Sequence, residues 1–411
     1  MRDRIPARGQ GAIIGNRTIK AFDHTLSTTF LISAVYPLGP AALILMPMLG
    51  GGVIDDLGFS EQQAGYVAAV EGMGLVLASW VAALWVRKVS WTSMLALGCI
   101  ATALLNLLSA NLDQYVPFLV VRFLAGFSGG SIFALTVAAL GDNRHPDRAF
   151  GVAQVVQGAM MFLAFAAAPY ILAQWTVGGL YCMLAAAAAL MLLALPLFPS
   201  QGAQRIAAGG ASADAPDYTA LIWTGLIASF LFFSRIFGFW TYIERVGQAA
   251  GLATDSIGLA LGISQFAAIV GAGAAAIASN RYGRAAPLIL ALGGQLLVLW
   301  LLVGQFTPAT FYFGAGLFQA LFVLANSYQL GVISKIDVKG NFLVLATGFQ
   351  GLGSAVGPGI AASLIDHGDY SRINQMAALF CLVGMLMFLF VIHRTRHVGS
   401  PLAENRVSAA D

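Results

Sequence analysis

The chain has 411 residues, of which 59% are hydrophobic and only 9% are charged. A soluble globular domain carries about 25% charged residues, so this chain lacks the charges needed to cover a water-exposed surface. The net charge of +3 gives no reason to expect a nucleic-acid partner. The apolar residues fall into runs of the roughly 20-residue length that a transmembrane helix requires. Because backbone groups in lipid must be hydrogen-bonded within the segment, these runs predict helices.

The apolar runs predict an all-α polytopic membrane protein with 12 transmembrane helices. In chain order, the predicted spans lie at residues 26–50, 65–85, 92–110, 117–140, 152–173, 177–197, 219–243, 257–278, 286–305, 309–333, 342–365 and 374–392. Most connections between the spans are short, so consecutive helices are expected to be antiparallel neighbours.

The basic residues predict the orientation of the chain in the membrane. Seventeen of the 21 Lys and Arg residues fall on the side that holds the N-terminus, and only Arg245 and Arg372 fall on the other side. Cytoplasmic loops carry such an excess, so both termini are expected in the cytoplasm of a multi-pass inner (cytoplasmic) membrane protein. Residues 1–25 are polar and arginine-rich, which argues against a cleaved signal peptide.

A segment rich in Gly, Ala, Ser and Asp separates the sixth and seventh spans and predicts a flexible cytoplasmic linker. The predicted units are an N-terminal segment (1–25), a first six-helix half (26–197), the linker (198–218), a second six-helix half (219–392) and a tail (393–411).

The two halves share an internal repeat with an offset of 193 residues. This offset takes three separate anchors of the first half onto the second without a gap: Gly58 and Gly65 onto Gly251 and Gly258, Lys88 onto Arg281, and Gln157–Gly158 onto Gln350–Gly351. Parallel repeats of this kind are found in transporters that build a central site between two halves.

Four short patterns carry a resemblance to a known family. They are Arg122 with Gly126, Gly129 and Gly130 in the fourth span, the loop Asn280-Arg281-Tyr282-Gly283-Arg284, Gly353 with Gly357-Pro358-Gly359 in the eleventh span, and Leu57-Gly58-Phe59-Ser60 with Gly65 before the second span. Together they resemble the major facilitator superfamily, over residues 26–392. The resemblance implies a carrier whose halves rock around a central site lined by spans one, four, seven and ten.

Two stretches depart from the family pattern. The loop Val86-Arg87-Lys88-Val89 lacks the acid and the glycines expected there, which puts its latching role in doubt. Ala167-Ala168-Pro169 only faintly resembles the glycine-proline motif of proton-linked drug exporters. The residues expected to gate the loops are Arg87, Lys88, Asp142, Arg148, Asn280, Arg281 and Arg284. For Asp142 and Arg148, solvated charges are the alternative.

Ionisable groups inside a bilayer are expensive, so each one requires a reason. Glu71 and Arg122 are predicted at similar depth, where a carboxylate and a guanidinium would pair if their helices meet. Burial and the neighbouring cation act on the carboxyl in opposite directions, which suits a proton-coupling role. The alternative is a permanent structural ion pair.

Arg235 is predicted near the membrane midplane with no acid at matching depth in the second half. Because arginine pairs well with carboxylates, this position suggests a substrate with a carboxylate or another anion. The alternatives are capping of backbone carbonyls and a place in the wall of a water-filled cavity. Further candidates for substrate binding are polar or aromatic residues within spans, namely Tyr36, Trp240, Gln265, Asn326 and Tyr328.

These observations predict a secondary active transporter that moves a small organic solute by alternating access, with protons as the expected coupling ion and an organic anion as the suggested substrate. An exporter of drugs, amphiphiles or lipids is the alternative transporter, and a transport-inactive membrane sensor is the alternative from another class. The sequence contains no catalytic cluster or metal-ligand spacing, so neither an enzyme nor a cofactor is expected. The expected partners are a small-molecule substrate, protons and the lipid bilayer, and the protein is expected to be a monomer.

Overall fold

The structure, a computed structural model, describes residues 26–86, 88–143, 146–200, 218–278, 281–336, 342–365 and 369–395. The described residues form the α-helices α1 (Leu26–Val35), α2 (Ala41–Ile44), α3 (Met46–Leu57), α4 (Glu61–Trp85), α5 (Trp91–Ser109), α6 (Tyr115–Gly141), α7 (Pro146–Met191), α8 (Thr219–Ala249), α9 (Thr254–Ala278), α10 (Ala285–Leu301), α11 (Pro308–Ile336), α12 (Phe342–Leu364) and α13 (Ser371–Arg394). Residues 1–25, most of the predicted linker and the end of the tail lie outside this part of the chain.

The first span is interrupted near its prolines. A 3₁₀ turn at Tyr36–Leu38 separates α1 from α2, and a further break precedes α3. Pro37 and Pro47 stand at the first positions of the new helical segments, where a missing backbone N–H costs least. The segments α1 to α3 therefore make one crossing in three pieces.

Helix α7 contains two crossings joined by an abrupt reversal. Trp175 and Thr176 leave the helical region, with Thr176 at φ 57° and ψ −171°. The Asp56 carboxylate accepts a hydrogen bond from the Val177 backbone N–H at 2.6 Å, which caps the helix that starts there. Eight described helices are long and apolar enough to span a membrane. The second crossing within α7, the α1–α3 unit, α10 and α12 bring the crossings to the predicted twelve.

Two helices continue past the ends of their predicted spans. The first crossing extends to Leu57 and α8 extends to Ala249, beyond the predicted span ends at residues 50 and 243. Both helices end just before a glycine with positive φ, Gly58 at 69° and Gly251 at 81°. These two glycines are an anchor pair of the internal repeat, so the same left-handed stop ends the first crossing of each half.

Alternate connections fall on opposite faces of the helix bundle. We call the face that holds the ends of the described chain the terminal face. There, Asn143 Nδ2 donates to Thr29 Oγ1 at 2.8 Å, and the backbone N–H of Trp91 donates to the Ser200 carbonyl at 2.9 Å. We call the opposite face, which holds the α3–α4 connection and the α7 reversal, the distal face.

The internal repeat recurs in the packing between the halves. A methyl group at Gly65 on α4 would lie 2.6 Å from Ala362 Cβ on α12 and 3.1 Å from the Pro358 carbonyl. A methyl group at Gly258 on α9 would lie 2.6 Å from Pro169 Cγ on α7 and 2.9 Å from the Phe165 carbonyl. The same offset of 193 residues relates Gly65 to Gly258, Ala362 to Pro169, and Pro358 to Phe165. The α4–α12 and α7–α9 interfaces are therefore equivalent in the repeat.

The outer surface of the bundle is apolar. Large exposed side chains include Leu193 at 75%, Trp300 at 71% and Val270 at 68% relative exposure. Apolar surface on this scale is unfavourable in water, whereas lipid chains cover it at no cost. The exposed apolar side chains are those expected of helices that face a bilayer.

Candidate functional site

Near the distal face, α8 donates hydrogen bonds across to the first half. Trp240 Nε1 donates to the Ile44 carbonyl at 2.9 Å, beside the break that leaves this carbonyl available. Tyr242 Oη donates to the Glu61 carbonyl at 2.9 Å. From the connection before α13, Tyr370 Oη donates to the Glu61 carboxylate at 2.5 Å. Burial and this carboxylate raise the pKa of Tyr370, so its phenol remains the proton donor.

An arginine completes these contacts. Arg245 forms an ion pair with Asp55 of α3 at 2.7 Å and also donates to the Gly51 carbonyl. Its Nε lies 3.3 Å from Glu244 Oε2, and the other carboxylate oxygen, Oε1, accepts a hydrogen bond from Gln248. One guanidinium thus serves two carboxylates, one on each half.

We call these residues together the distal gate. Its members are Ile44, Gly51, Asp55 and Glu61 of the first half, and Trp240, Tyr242, Glu244, Arg245, Gln248 and Tyr370 of the second half. The contacts bridge the halves where α3, α4 and α8 end or begin, so the distal end of the interface is closed.

Packing between α7 and α9 is looser toward the terminal face. At mid-helix, a methyl group at Gly158 would still meet the Gln265 carbonyl at 3.4 Å. At Gly151 and Gly273, nearer the terminal face, it would meet no atom within 4 Å. Helices α4 and α12 stay in contact further along, because a methyl group at Gly348 would lie 3.2 Å from Trp80 Nε1. The two repeat-related interfaces therefore differ on this side.

The structure brings Glu71 and Arg122 together inside the first half. Both carboxylate oxygens accept from the guanidinium, through Nη2 and, at 3.3 Å, through Nε. The third nitrogen, Nη1, donates to Asn106 Oδ1 at 3.0 Å and to Ser109 Oγ at 3.2 Å. The guanidinium also lies 4.7 Å from the centroid of the Tyr181 ring. Arg122 is fully buried and Glu71 is 4% exposed, so the pair is enclosed and hydrogen-bonded on both sides.

Arg235 is enclosed by the second half alone. Its Nη2 donates to Gln295 Oε1 on α10, and the guanidinium lies 4.7 Å from the centroid of the Phe232 ring. The side chain shares a narrow crevice with Gln329 on α11 and Cys381 on α13. Two of its nitrogens, Nε and Nη1, have no hydrogen-bond partner in the described part of the chain. Arg235 therefore faces the interior of the second half and not the contacts between the halves.

Three of the other predicted substrate-binding residues, Tyr36, Gln265 and Asn326, make hydrogen bonds or ring contacts within their own half. Tyr36, in the break of the first span, packs against Phe133 with ring centroids 5.1 Å apart. Gln265 is buried on α9 and donates to the Leu261 carbonyl of its own helix. On α11, Asn326 Oδ1 accepts from Gln350 at 3.0 Å, and Tyr328 is buried. Among the predicted substrate-binding residues, Trp240 is the one with a polar contact between the halves described above.

The predicted gating loops lie on the terminal face. Lys88, Arg148 and Arg281 are exposed, Arg284 is half-buried and Asp142 is buried at the end of α6. Arg87 and Asn280 lie outside the described residues.

Comparisons with known proteins agree with this architecture. A sequence model of the Major Facilitator Superfamily matches residues 29–308 and, in a second overlapping match, residues 225–410. The chain belongs to the major facilitator superfamily. This confirms both the predicted family and the predicted fold of 12 helices in two six-helix repeats. A search of curated protein sequences finds no significant match.

Solved structures of this superfamily share the fold of the chain at low sequence identity. The nucleoside transporter NupG is 14% identical, with a TM-score of 0.70 over 89% of this chain and 98% of that one. The inward-open xylose transporter XylE from E. coli is 14% identical, with a TM-score of 0.68 over 90% and 95%. A bacterial homologue of the human lysosomal transporter Spinster, inward-facing and unoccupied, is 11% identical, with a TM-score of 0.62 over 89% and 94%. The protein thus has the fold of a secondary transporter.

In this superfamily member, most of the distal gate is not predicted by local sequence patterns. Arg245 is predicted on the side opposite the N-terminus, and Glu244 has no predicted role. Both lie within α8, and Glu244 is 2% exposed. One signal was available, because Glu244 and Gln248 are four residues apart and such pairs favour a continuing helix. The pairing of Arg245 with Asp55 joins residues 190 positions apart, and no local pattern predicts it.

Proposed function

We propose that the protein carries a small polar solute across the cytoplasmic membrane by alternating access between its two halves. The distal gate is the observation that carries this proposal, since a closed end opposite a looser one is what a carrier in one of its two states requires. The distribution of basic residues supports a cytoplasmic terminal face, so the described state is closed to the outside. Proton coupling belongs to the proposal as the energy source.

The position of Arg235 changes the proposed substrate class. An anionic substrate was suggested because this cation was expected in the central site, where a carboxylate would meet it. The residues around Arg235 all belong to the second half. We therefore propose a polar solute with no requirement for negative charge, and nucleosides and pentoses are the first probes to test.

Alternating access can be tested by labelling both faces of the protein. Asp113→Cys and Gln305→Cys place labels on exposed distal connections of the two halves, and Val89→Cys with Tyr282→Cys does so on the terminal face. The exposed native thiol is first removed by Cys182→Ala. We expect two distance populations in each pair, with the distal distance lengthening as the terminal distance shortens. A single population in both pairs, with no solute flux into liposomes, would favour the transport-inactive sensor.

Replacing Arg235 with glutamine is expected to leave solute binding nearly unchanged. Sites that share no partners are coupled by no more than about 0.5 kcal/mol, which corresponds to about a two-fold change in the dissociation constant. The measurement is the thermal stabilisation of wild type and variant by uridine, D-xylose and lactate over a concentration series. Stabilisation by lactate that is present in the wild type and absent in Arg235→Gln would restore the anionic substrate.

A further inference from the structure

Within the distal gate, the charges of the two halves do not balance. Asp55 and Glu244 together carry two negative charges, and Arg245 supplies one positive charge between them. Asp55 keeps much of its hydration, because its side chain is 56% exposed, whereas the Glu244 side chain is only 3% exposed. The buried carboxyl therefore gains most from a further partner.

Arg245 is directed mainly toward the first half. It forms the ion pair with Asp55 and donates to the Gly51 carbonyl, while Nη1 donates to Gln248 Oε1 at 3.0 Å. Glu244 Oε2 is within ion-pair distance of Nε, yet it accepts no hydrogen bond in the described structure. A buried carboxylate oxygen with no donor is unfavourable, whereas a protonated carboxyl carries no charge to solvate.

We infer that Glu244 is the proton-binding carboxyl of this carrier and that its protonation is linked to closure of the distal gate. This inference rests on the proposed alternating-access function. When the gate opens, Asp55 moves away with the first half and Arg245 becomes available to Glu244. The open state then favours the ionised carboxylate and the closed state favours the protonated carboxyl. No bond other than that between the proton and the carboxylate oxygen forms or breaks.

The surroundings of Glu244 leave it as the best-placed acid for this role. The charged or titratable groups around it from neighbouring elements are Asp55 of α3, Glu61 of α4, Arg245 of α8 itself and Tyr370 before α13. Glu61 is bonded to Tyr370, and Asp55 faces solvent. Among the described residues of the spans, the other buried acid is Glu71, and Arg122 is bound to both of its oxygens.

The test uses the distal label pair as a reporter of closure in the full-length protein, with pH as the variable. Because the closed state binds one more proton, closure is expected to increase as the pH falls, with the open-to-closed ratio changing by at most about ten-fold per pH unit. Glu244→Gln is expected to remain closed with no such dependence. In Asp55→Asn, Arg245 can pair with Glu244 in both the open and the closed state. The closed population is therefore expected to be smaller at every pH, and its dependence on pH is expected to be less steep.

The double variant Glu71→Gln with Arg122→Gln is the matched control, because it removes another buried acid together with its cation and should retain the wild-type pH dependence. The inference is overturned if the wild-type distance is independent of pH, if Glu244→Gln keeps the wild-type slope, or if the double variant alone abolishes it. A distance that responds to solute and not to pH would reject the proton site while leaving the carrier proposal standing. A distance that never changes would reject both.

Discussion

Replacing Arg122 with glutamine is expected to lower the free energy of unfolding by about 3–5 kcal/mol, because it leaves a buried carboxylate without its cation. In the native protein both oxygens of Glu71 accept from this guanidinium, and Asn106 and Ser109 accept from its remaining nitrogen. None of these groups can be rehydrated without separating α4 from α6. The loss is measured by denaturant unfolding of the purified protein in mild detergent.

The double variant Glu71→Gln with Arg122→Gln is expected to recover most of that stability, since it removes both charges together. Arg148→Gln is the matched control, because it makes the same change at an exposed arginine on α7 and should alter the stability by no more than about 0.5 kcal/mol. If Arg122→Gln were as mild as this control, the pair would not be the structural element described here. The proton-coupling hypothesis for Glu71 would then regain weight.

Gly65→Val and Gly258→Val are each expected to hold the carrier with its distal face open. A side chain at Gly65 would meet the Tyr242 hydroxyl, Ala362 and Pro358. One at Gly258 would meet Pro169 and Phe165. Overpacking of this kind costs about 1–3 kcal/mol, and here the cost falls on the closed state. The closed-to-open ratio should therefore fall by about five- to 150-fold. The distal label pair reports the population, and solute flux should fall with it.

Gly293→Val is the control for this experiment, because it makes the same change on α10, away from the contacts between the halves, at a position where an added methyl group meets no atom within 4 Å. The two interface variants should also resemble each other, since their positions are equivalent in the repeat. A defect at one position alone would show that the two interfaces do not close together. Wild-type distances in both variants would contradict the closed-state packing.

The fold could be predicted from sequence because the bilayer imposes a simple rule on apolar length and because the repeat keeps its register. The glycines Gly65 and Gly258 mark positions where helices of opposite halves approach closely, and their shared offset recurs in the contacts they make. The meeting of Glu71 and Arg122 was also within reach, since both were expected at one depth. That expectation needed only the helical rise and the direction of each span.

The gate could not be predicted in the same way. Its contacts join residues such as Asp55 and Arg245 that are distant in sequence, and they depend on which of two states the halves adopt. The position of Arg235 shows a second limit. Depth follows from counting residues along a helix, but the direction a side chain faces depends on the rotation of that helix in the bundle. The count along the helix therefore predicts the depth of Arg235, whereas its contacts with Gln295, Phe232 and the crevice within the second half depend on that rotation.

The distal gate is chemically one-sided. Every hydrogen bond across it is donated by a side chain of the second half, and three of the acceptors in the first half are backbone carbonyls, those of Ile44, Gly51 and Glu61. A backbone carbonyl remains in place when the side chain of its own residue is replaced. In a saturation mutagenesis of the gate, intolerant positions should therefore include Trp240 and Tyr242 on α8, whereas Ile44, their neighbour in the first half, should accept many different side chains. Gly51 is the exception among the residues of the first half that contribute a carbonyl, because a methyl group there would lie 2.7 Å from Glu244 Oε2. During divergence, the seal of such a carrier would be conserved more strictly at its donors than at positions that contribute only a backbone carbonyl.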